Sequence, residues 1–350
     1  NAYHFDAIQF GIWLRDKYCK KVKHIIEDVV SVEQNEEGIV SLNKKYKADL
    51  YIDCTGFKSL LLDKALKEPF ESYEDMLPND SAWATKIKYK NKNTELVPYT
   101  TCTAIENGWV WNIPLWSRIG TGYVYSSKFV DDETALKEFK KHLGKKDLEF
   151  KKIKMRVGIH KRLWVKNVIA IGLAAGFIEP LESNGLYTVH EFLINLLKNI
   201  KREKISQWDK DTFNYQCKHM FKDFAEFVGL HYALSHRNET EYWKHCFNKS
   251  WDEHLINLKP VGYRGFKDAV EIRTYNHKFD NNSGLHSIAA GMHWSPTDRE
   301  TIIVKGGFEE KKLEKEFEQC INNLNKRKEL CKQLVKNRPS LFSVLKNVHQ

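Results

Sequence analysis

A chain of 350 residues, 42 % of them hydrophobic, is long enough to bury a large core and suits a globular protein of one or two domains. Its seven cysteines are odd in number and include no C-x-x-C pair, which argues against a disulfide framework and makes reduced thiols in a cytoplasmic setting the expectation. The net charge of +10 is spread among acids, as in Glu309-Glu310-Lys311-Lys312-Leu313-Glu314-Lys315-Glu316, and the longest apolar run, Val168 to Ile178, is far short of a bilayer span, so neither a nucleic-acid stripe nor a membrane helix is expected.

Phe5, Ile8 and Ile12 recur at helical spacing, predicting a helix within residues 1–20. Val22 to Leu42 alternates and turns at Asn35-Glu36-Glu37-Gly38, which predicts a β-hairpin. Ala48 to Cys54 reads as a buried strand ending in Thr55-Gly56. From Ala82 to Tyr125 the chain is rich in Trp, Thr, Tyr and Val with short polar breaks, the composition of an antiparallel sheet. A helix begun by Asp131 or Asp132 and ended by Gly144 comes next, then two strands between Met155 and Ile171 around a break at Lys166-Asn167. Beyond Trp208 the pattern is mostly helical.

Two segments carry chemistry. The first runs Ile171-Gly172-Leu173-Ala174-Ala175-Gly176-Phe177-Ile178-Glu179-Pro180-Leu181-Glu182-Ser183-Asn184-Gly185. Its glycines and alanines let a bulky planar group approach the backbone. From Leu186 the residues Leu186, Val189, Leu193, Leu196, Leu197 and Ile200 recur at helical spacing, so Ser183 or Asn184 is the expected N-cap of an amphipathic helix. A helix start offers unpaired N–H groups and partial positive charge to an anion, and Glu182 stands beside it. A plain buried turn between strand and helix is the alternative. Glu179, before Pro180, reads as a bystander. The second segment, Gly108-Trp109-Val110-Trp111-Asn112-Ile113-Pro114, is W-x-W-x-I-P, with two tryptophans on one face of a strand. Ordinary core is the alternative there.

In this order the two segments resemble the signature of the flavin-dependent tryptophan halogenases. Tyr3-His4-Phe5-Asp6-Ala7, Tyr51-Ile52-Asp53-Cys54-Thr55-Gly56-Phe57, Gly122-Tyr123-Val124-Tyr125-Ser126-Ser127 and His231-Tyr232-Ala233-Leu234-Ser235-His236-Arg237-Asn238-Glu239-Thr240 agree with it, over residues 1 to about 250. The resemblance implies a mixed α/β fold of the FAD-binding monooxygenase and halogenase type. Residues 1–75 and 150–200 would form the FAD-binding module, 76–149 an antiparallel sheet on the substrate side, and 201–350 a mostly helical substrate-binding region. That fold opens with a strand, a G-x-G-x-x-G turn and a helix, and none of the 18 glycines stands in this pattern. Gly120-Thr121-Gly122 lacks the third glycine and lies between strands. In the family the opening unit precedes the Tyr-His-Phe-Asp segment and carries the catalytic lysine. The expectation is therefore a chain that begins inside the fold, as the numbered part of a longer protein; a partner chain supplying the rest, or lost flavin binding, are the alternatives.

Halogenating an aromatic ring needs an electrophilic halogen, made from halide with reduced flavin and O2. The resemblance assigns Glu182 as the acid–base or polarising group, oriented by Ser183. It assigns the backbone of Asn184 and Gly185 to halide, with Asn184 standing where the family usually has Thr. Trp109, Trp111, Ile113 and Pro114 form a screen between flavin and substrate, and Gly56, Gly172, Leu173, Ala174 and Leu181 line the cofactor. The cofactors implied are FAD, as FADH2, and a halide ion; the partners are a small aromatic substrate of indole or phenol type and a separate flavin reductase, with homo-oligomerisation left open. Metal is not expected, because His4 with Asp6, and His231 with His236, lack a third ligand at a suitable spacing. No G-x-S-x-G elbow or phosphate-binding loop is present. The function read from the chain is halogenation, with a flavin-dependent aromatic hydroxylase and a catalytically inert binding homologue as alternatives.

Overall fold

The computed structural model describes residues 3–144, 148–201, 204–249, 288, 291–292, 310–336 and 338–349. Helix α1, Ala7–Tyr18, lies where helical spacing predicts it. The Asp6 carboxylate caps it by accepting from Ile8 and Gln9 N–H, although none of its residues is buried. The hairpin is shorter than predicted: only β1, Val32–Asn35, and β2, Gly38–Leu42, form the ladder. Ahead of it, Asn43 Oδ1 accepts from Val30 and Ser31 N–H, so a side chain satisfies backbone that alternation alone would have put in a strand. Strand β3, Tyr51–Asp53, ends on a fully buried carboxylate. Asp53 accepts from the N–H of Thr55, Leu61 and Leu62 and from the Thr55 hydroxyl, at 2.6–3.0 Å. That network is what makes a buried acid tolerable.

After β4, Phe70–Ser72, comes the large sheet. It contains β5, Ser81–Ile87; then, past the one-turn α2, Lys92–Glu95, the strands β6, Thr101–Ile105, β7, Gly108–Pro114, and β8, Ile119–Tyr125. Helix α3, Asp132–Leu143, follows, capped by Asp131 and stopped by Gly144 at φ +61°, both as predicted. Strand β9, Lys151–Lys154, closes an antiparallel order of β6-β7-β8-β5-β9. The two-residue period splits the sheet between two cores. Val110, Tyr123 and Tyr125 face α3 with Ala135 and Phe139, whereas Trp109 and Val124 face the main core.

Between Met155 and Ile171 the chain forms three short strands rather than two: β10, Gly158–His160, β11, Trp164–Val165, and β12, Val168–Ala170. The break at Lys166-Asn167 separates β11 from β12 as expected. The extra strand exists because β10 pairs with β4 on one side and with β13, Gly176–Phe177, on the other. Strand β12 runs parallel to β3, which brings the ends of both to the same edge. Helices follow over the described residues: α4, Gly185–Asn199, α5, Gln207–Ala233, α6, Glu241–Asn248, and, nearer the C-terminus, α7, Glu310–Lys336, with the short α8, Leu341–Val348, after it. Helices α4 and α5 pack through Phe192 against Phe213 and Phe221. The helical expectation for most of residues 250–309 lies outside the described residues.

Candidate active site

The parallel pairing of β3 and β12 delivers two glycine turns side by side. Ile171 N–H donates to Asp53 O at 3.0 Å, and each strand then ends in a single 3-10 turn, Gly56–Lys58 and Gly172–Ala174. Gly56 at φ +69° and Gly172 at φ +67° take a backbone conformation that a side chain disfavours. A Cβ on Gly56 would meet nothing within 4 Å, and one on Gly172 only Val189 Cγ2 at 3.5 Å, so these turns present open backbone. Leu173 and Ile52 are exposed beside them, with Ala174 buried beneath and Leu181 half-buried against the core. The third glycine differs. At Gly176 a Cβ would stand 2.6 Å from Gly158 O and 2.9 Å from Ile159 Cα, so it serves the approach of β13 to β10 and not that of a ligand.

The turn leading into α4 carries the polar residues. Pro180–Glu182 is a 3-10 turn, Ser183 is left-handed at φ +52°, and Asn184 is the N-cap. Asn184 does not cap in the usual way: its side chain makes no cap hydrogen bond, and its Nδ2 is buried without a partner. Gly185 next to it opens on space that a Cβ would not fill. A buried amide donor, first-turn N–H groups with no side-chain cap and an open glycine are a donor set that fits an anion. Glu182 is one-third exposed and its Oε1 lies 2.8 Å from His231 Nε2. The other ring nitrogen, Nδ1, faces Phe227 O and Val228 O at 3.3 and 3.2 Å and must donate to them. A hydrogen bond between Nε2 and Oε1 then needs one further proton, on either atom. The structure thus gives the place beside Glu182 to His231, whereas the exposed Ser183 hydroxyl makes no hydrogen bond to it among the described residues.

The tryptophans come to the same place from the sheet. Trp109 and Trp111 share one face of β7, with ring centroids 6.2 Å apart and planes at 59°. Trp109 is 3 % exposed, and Trp111 is half-buried, lying over Gly122 of β8. The Gly120-Thr121-Gly122 segment is therefore strand and not a junction, and its glycines leave room for the ring. Ile113 is half-buried, and buried Pro114 offers its carbonyl to His4 Nδ1 at 3.0 Å. Cys102, paired with Trp111 across β6 and β7, directs its Sγ at Leu181 O at 3.9 Å, which puts the aromatic wall against the Glu182 turn.

Glu179, which the sequence reads as a bystander, is built into the core. It is fully buried behind Trp109, with Asn79 Nδ2 donating to its Oε2 at 2.7 Å and to the Tyr232 hydroxyl at 2.8 Å. Burial pushes its carboxyl up, to about 7, against the opposing pull of Tyr232, Asn79, the charge of His231 and the Trp109 indole N–H. The signal in the sequence was a carboxylate continuing the apolar run Val168 to Ile178; its partners, 100 and 53 positions away in Asn79 and Tyr232, gave none.

The tryptophan halogenase family model matches residues 1–305. The chain belongs to the tryptophan halogenase family. It is 37 % identical over 284 residues to the 7-chloro-L-tryptophan 6-halogenase KtzR of Kutzneria sp. (strain 744), a match covering 79 % of this chain and 55 % of that protein. Among solved structures it resembles VirX1 in its apo form, with a TM-score of 0.85 and 37 % identity over 98 % of this chain and 68 % of that one. It also resembles BrvH, a flavin-dependent halogenase from Brevundimonas sp. BAL3, with a TM-score of 0.78 and 28 % identity over 98 % of this chain and 69 % of that one. The chain spans about half the length of the curated relatives it matches. The mixed α/β architecture expected from the resemblance is thus the fold of the family.

Proposed function

We propose that this chain carries the halogen-transfer site of a flavin-dependent halogenase acting on small electron-rich aromatics of indole or phenol type. The observation that carries the reading is the convergence of the Glu182–His231 pair, the unpartnered amide of Asn184 at the start of α4 and the half-buried face of Trp111. Family membership supports the same reading, as do relatives named as tryptophan halogenases.

Reduced FAD, supplied by a separate reductase, provides with O2 and halide the oxidised halogen. The open backbone of Gly56 and Gly172, with Leu173 beside it, fits a flat cofactor edge, and Asn184 Nδ2 with the first N–H groups of α4 fits the halide. Trp111, backed by buried Trp109, excludes the aromatic substrate and bulk water from the flavin side, as the proposed screen requires. Glu182 then accepts the proton that the ring loses on substitution. With Oε1 held by His231, Oε2 is the oxygen free to do so, and the exposure of Glu182 lets a substrate reach it.

The test is a single-turnover assay of this chain joined to the family's opening strand-turn-helix unit, with reduced FAD, O2 and bromide or iodide on a panel of indole, phenol and free tryptophan. Halogenated product is expected, with the small aromatics at least matching tryptophan. Hydroxylated product in its place would move the reading to a flavin hydroxylase, and neither product would refute both.

A further inference from the structure

The buried network behind the tryptophan wall is larger than a halogen-transfer site requires. Glu179 is faced by Trp109 from β7, by Asn79 from the segment before β5, by His231 and Tyr232 from α5 and by Tyr242 and Cys246 from α6, while Glu182 follows it on the same turn. Three of these groups stay protonated near neutrality, because burial pushes the Tyr232 and Tyr242 hydroxyls well up and the Cys246 thiol to about 12. The others that can carry charge are Glu179, His231 and Glu182. Besides the Trp109 indole N–H, three atoms in the cluster are buried without a hydrogen-bond partner: Glu179 Oε1, Asn79 Oδ1 and the Tyr242 hydroxyl oxygen. The Trp109 indole N–H is likewise buried without a hydrogen-bond partner, yet lies close enough to pull the Glu179 carboxyl down. A buried carboxyl with one oxygen unpaired, next to an indole donor also unpaired, is costly in either protonation state. Such a cost is tolerated where the group changes state.

We propose that Glu179 is a positioning residue, a buried carboxyl that exchanges its proton behind the tryptophan wall and in its charged form draws in the Trp109 indole N–H and a cationic His231. With Glu179 charged, the proton shared by His231 and Glu182 is drawn toward the imidazole, and Glu182 is left as the carboxylate that accepts the ring proton. With Glu179 neutral that attraction is gone, and the Trp109 N–H loses its charged acceptor. Because Trp109 backs Trp111, the same event alters the wall and the acid–base group together. The inference rests on the proposed role of Glu182 for its catalytic half only.

The experiment follows the indole N–H signals of the 350-residue chain by 15N-labelled NMR from about pH 5 to about pH 9, the span on either side of a neutral midpoint. The Trp109 signal is identified by its loss in Trp109→Phe. It is expected to move sigmoidally with one midpoint near neutrality, and Glu179→Gln should abolish the movement. Tyr232→Phe, which keeps the carboxyl but removes a donor to it, should raise the midpoint, and His231→Asn should also raise it while leaving the movement in place. A Trp109 signal that is flat in the parent, that still titrates in Glu179→Gln, or that stops titrating in His231→Asn overturns the proposal. In steady-state halogenation, Glu179→Gln should lose the rise of product rate between about pH 6 and about pH 8 with KM for the aromatic unchanged. A parent that binds no substrate refutes the function proposed above and leaves the NMR outcomes to decide this one.

Discussion

Replacing Gly122 by Ala should displace Trp111 and open the aromatic wall. The added Cβ would stand 2.1 Å from both Cζ2 and Cη2 of Trp111 and 2.7 Å from Cζ3, whereas carbon atoms in contact settle at about 3.5–4.0 Å. The ring must therefore retreat by roughly 1.5 Å. Trp109 blocks one direction, since its ring centroid is 6.2 Å away and the ring is locked in the core. The indole must swing outward, at the cost of about 1–3 kcal/mol that overpacking typically brings. Gly120 supplies the control. It lies two positions along the same strand, on the same face opposite Ile113, and its Cβ would meet only Ile113 O at 3.9 Å. Gly120→Ala should be neutral or gain up to about 1 kcal/mol from lost unfolded-state freedom. Urea unfolding measures the two costs, near-UV circular dichroism reads the tryptophan pair, and the ratio of peroxide released to halogenated product reads the screen. Gly122→Ala should lose stability, change the aromatic signal and release more peroxide. Equal behaviour of the two alanine variants, or a Gly122→Ala protein with parental stability and coupling, would refute the argument.

Three further outcomes are expected. Glu179→Gln should change the pH dependence of stability: the folded carboxyl is held up at about 7 against an ordinary 4.5, so the parent is most stable below about pH 4.5 as far as this group is concerned and loses roughly 3 kcal/mol as pH rises through about 7. Denaturation at a series of pH values should show that loss in the parent and not in the variant, and parallel curves would contradict it. Glu182→Gln should reduce halogenation by ~10²–10⁴ while the fold and peroxide formation persist, and near-parental single-turnover product would remove Glu182 from the chemistry. Asn184→Ala should raise the halide concentration needed for half-maximal turnover with little change in stability, because a buried amide without a partner contributes little to folding; a large stability loss with unchanged halide dependence would make the amide structural.

Local chemistry was legible where it is decided locally. Helix α3 could be bounded by Asp131 and Gly144 because an N-cap carboxylate and a left-handed C-terminal glycine act within a few residues. The two faces of β7 followed from its alternation, and so did the side-by-side tryptophans. The three strands between Met155 and Ile171 were not legible as three. Strand β11 is two residues long and β12 three, and both exist because β12 meets β3, whose residues 51–53 lie more than a hundred positions earlier. No window of periodicity contains that pairing. The unladdered stretch before β1 has a similar cause, since a single side chain, Asn43, takes the N–H groups of Val30 and Ser31.

The site divides along the same line. Glu182, Asn184 and Gly185 could be singled out because a helix start is electropositive wherever it occurs, and a carboxylate beside it needs no distant residue to be noticed. Glu179 could not be read in the same way. Its side chain differs from Glu182 by three positions in the sequence and by complete burial in the fold, and that burial is set by Asn79, Tyr232 and Trp109, which come from three other segments. The consequence for experiment is specific. As a bystander Glu179 would serve as the neutral control for Glu182→Gln, whereas the buried network makes both substitutions damaging. They are then separated by what each moves: Glu182→Gln removes product at every pH and leaves the Trp109 indole titrating, while Glu179→Gln stops that titration and flattens the pH profile. A Glu179→Gln protein with a parental pH profile and parental stability at every pH would return that carboxyl to the role its place before Pro180 first suggested.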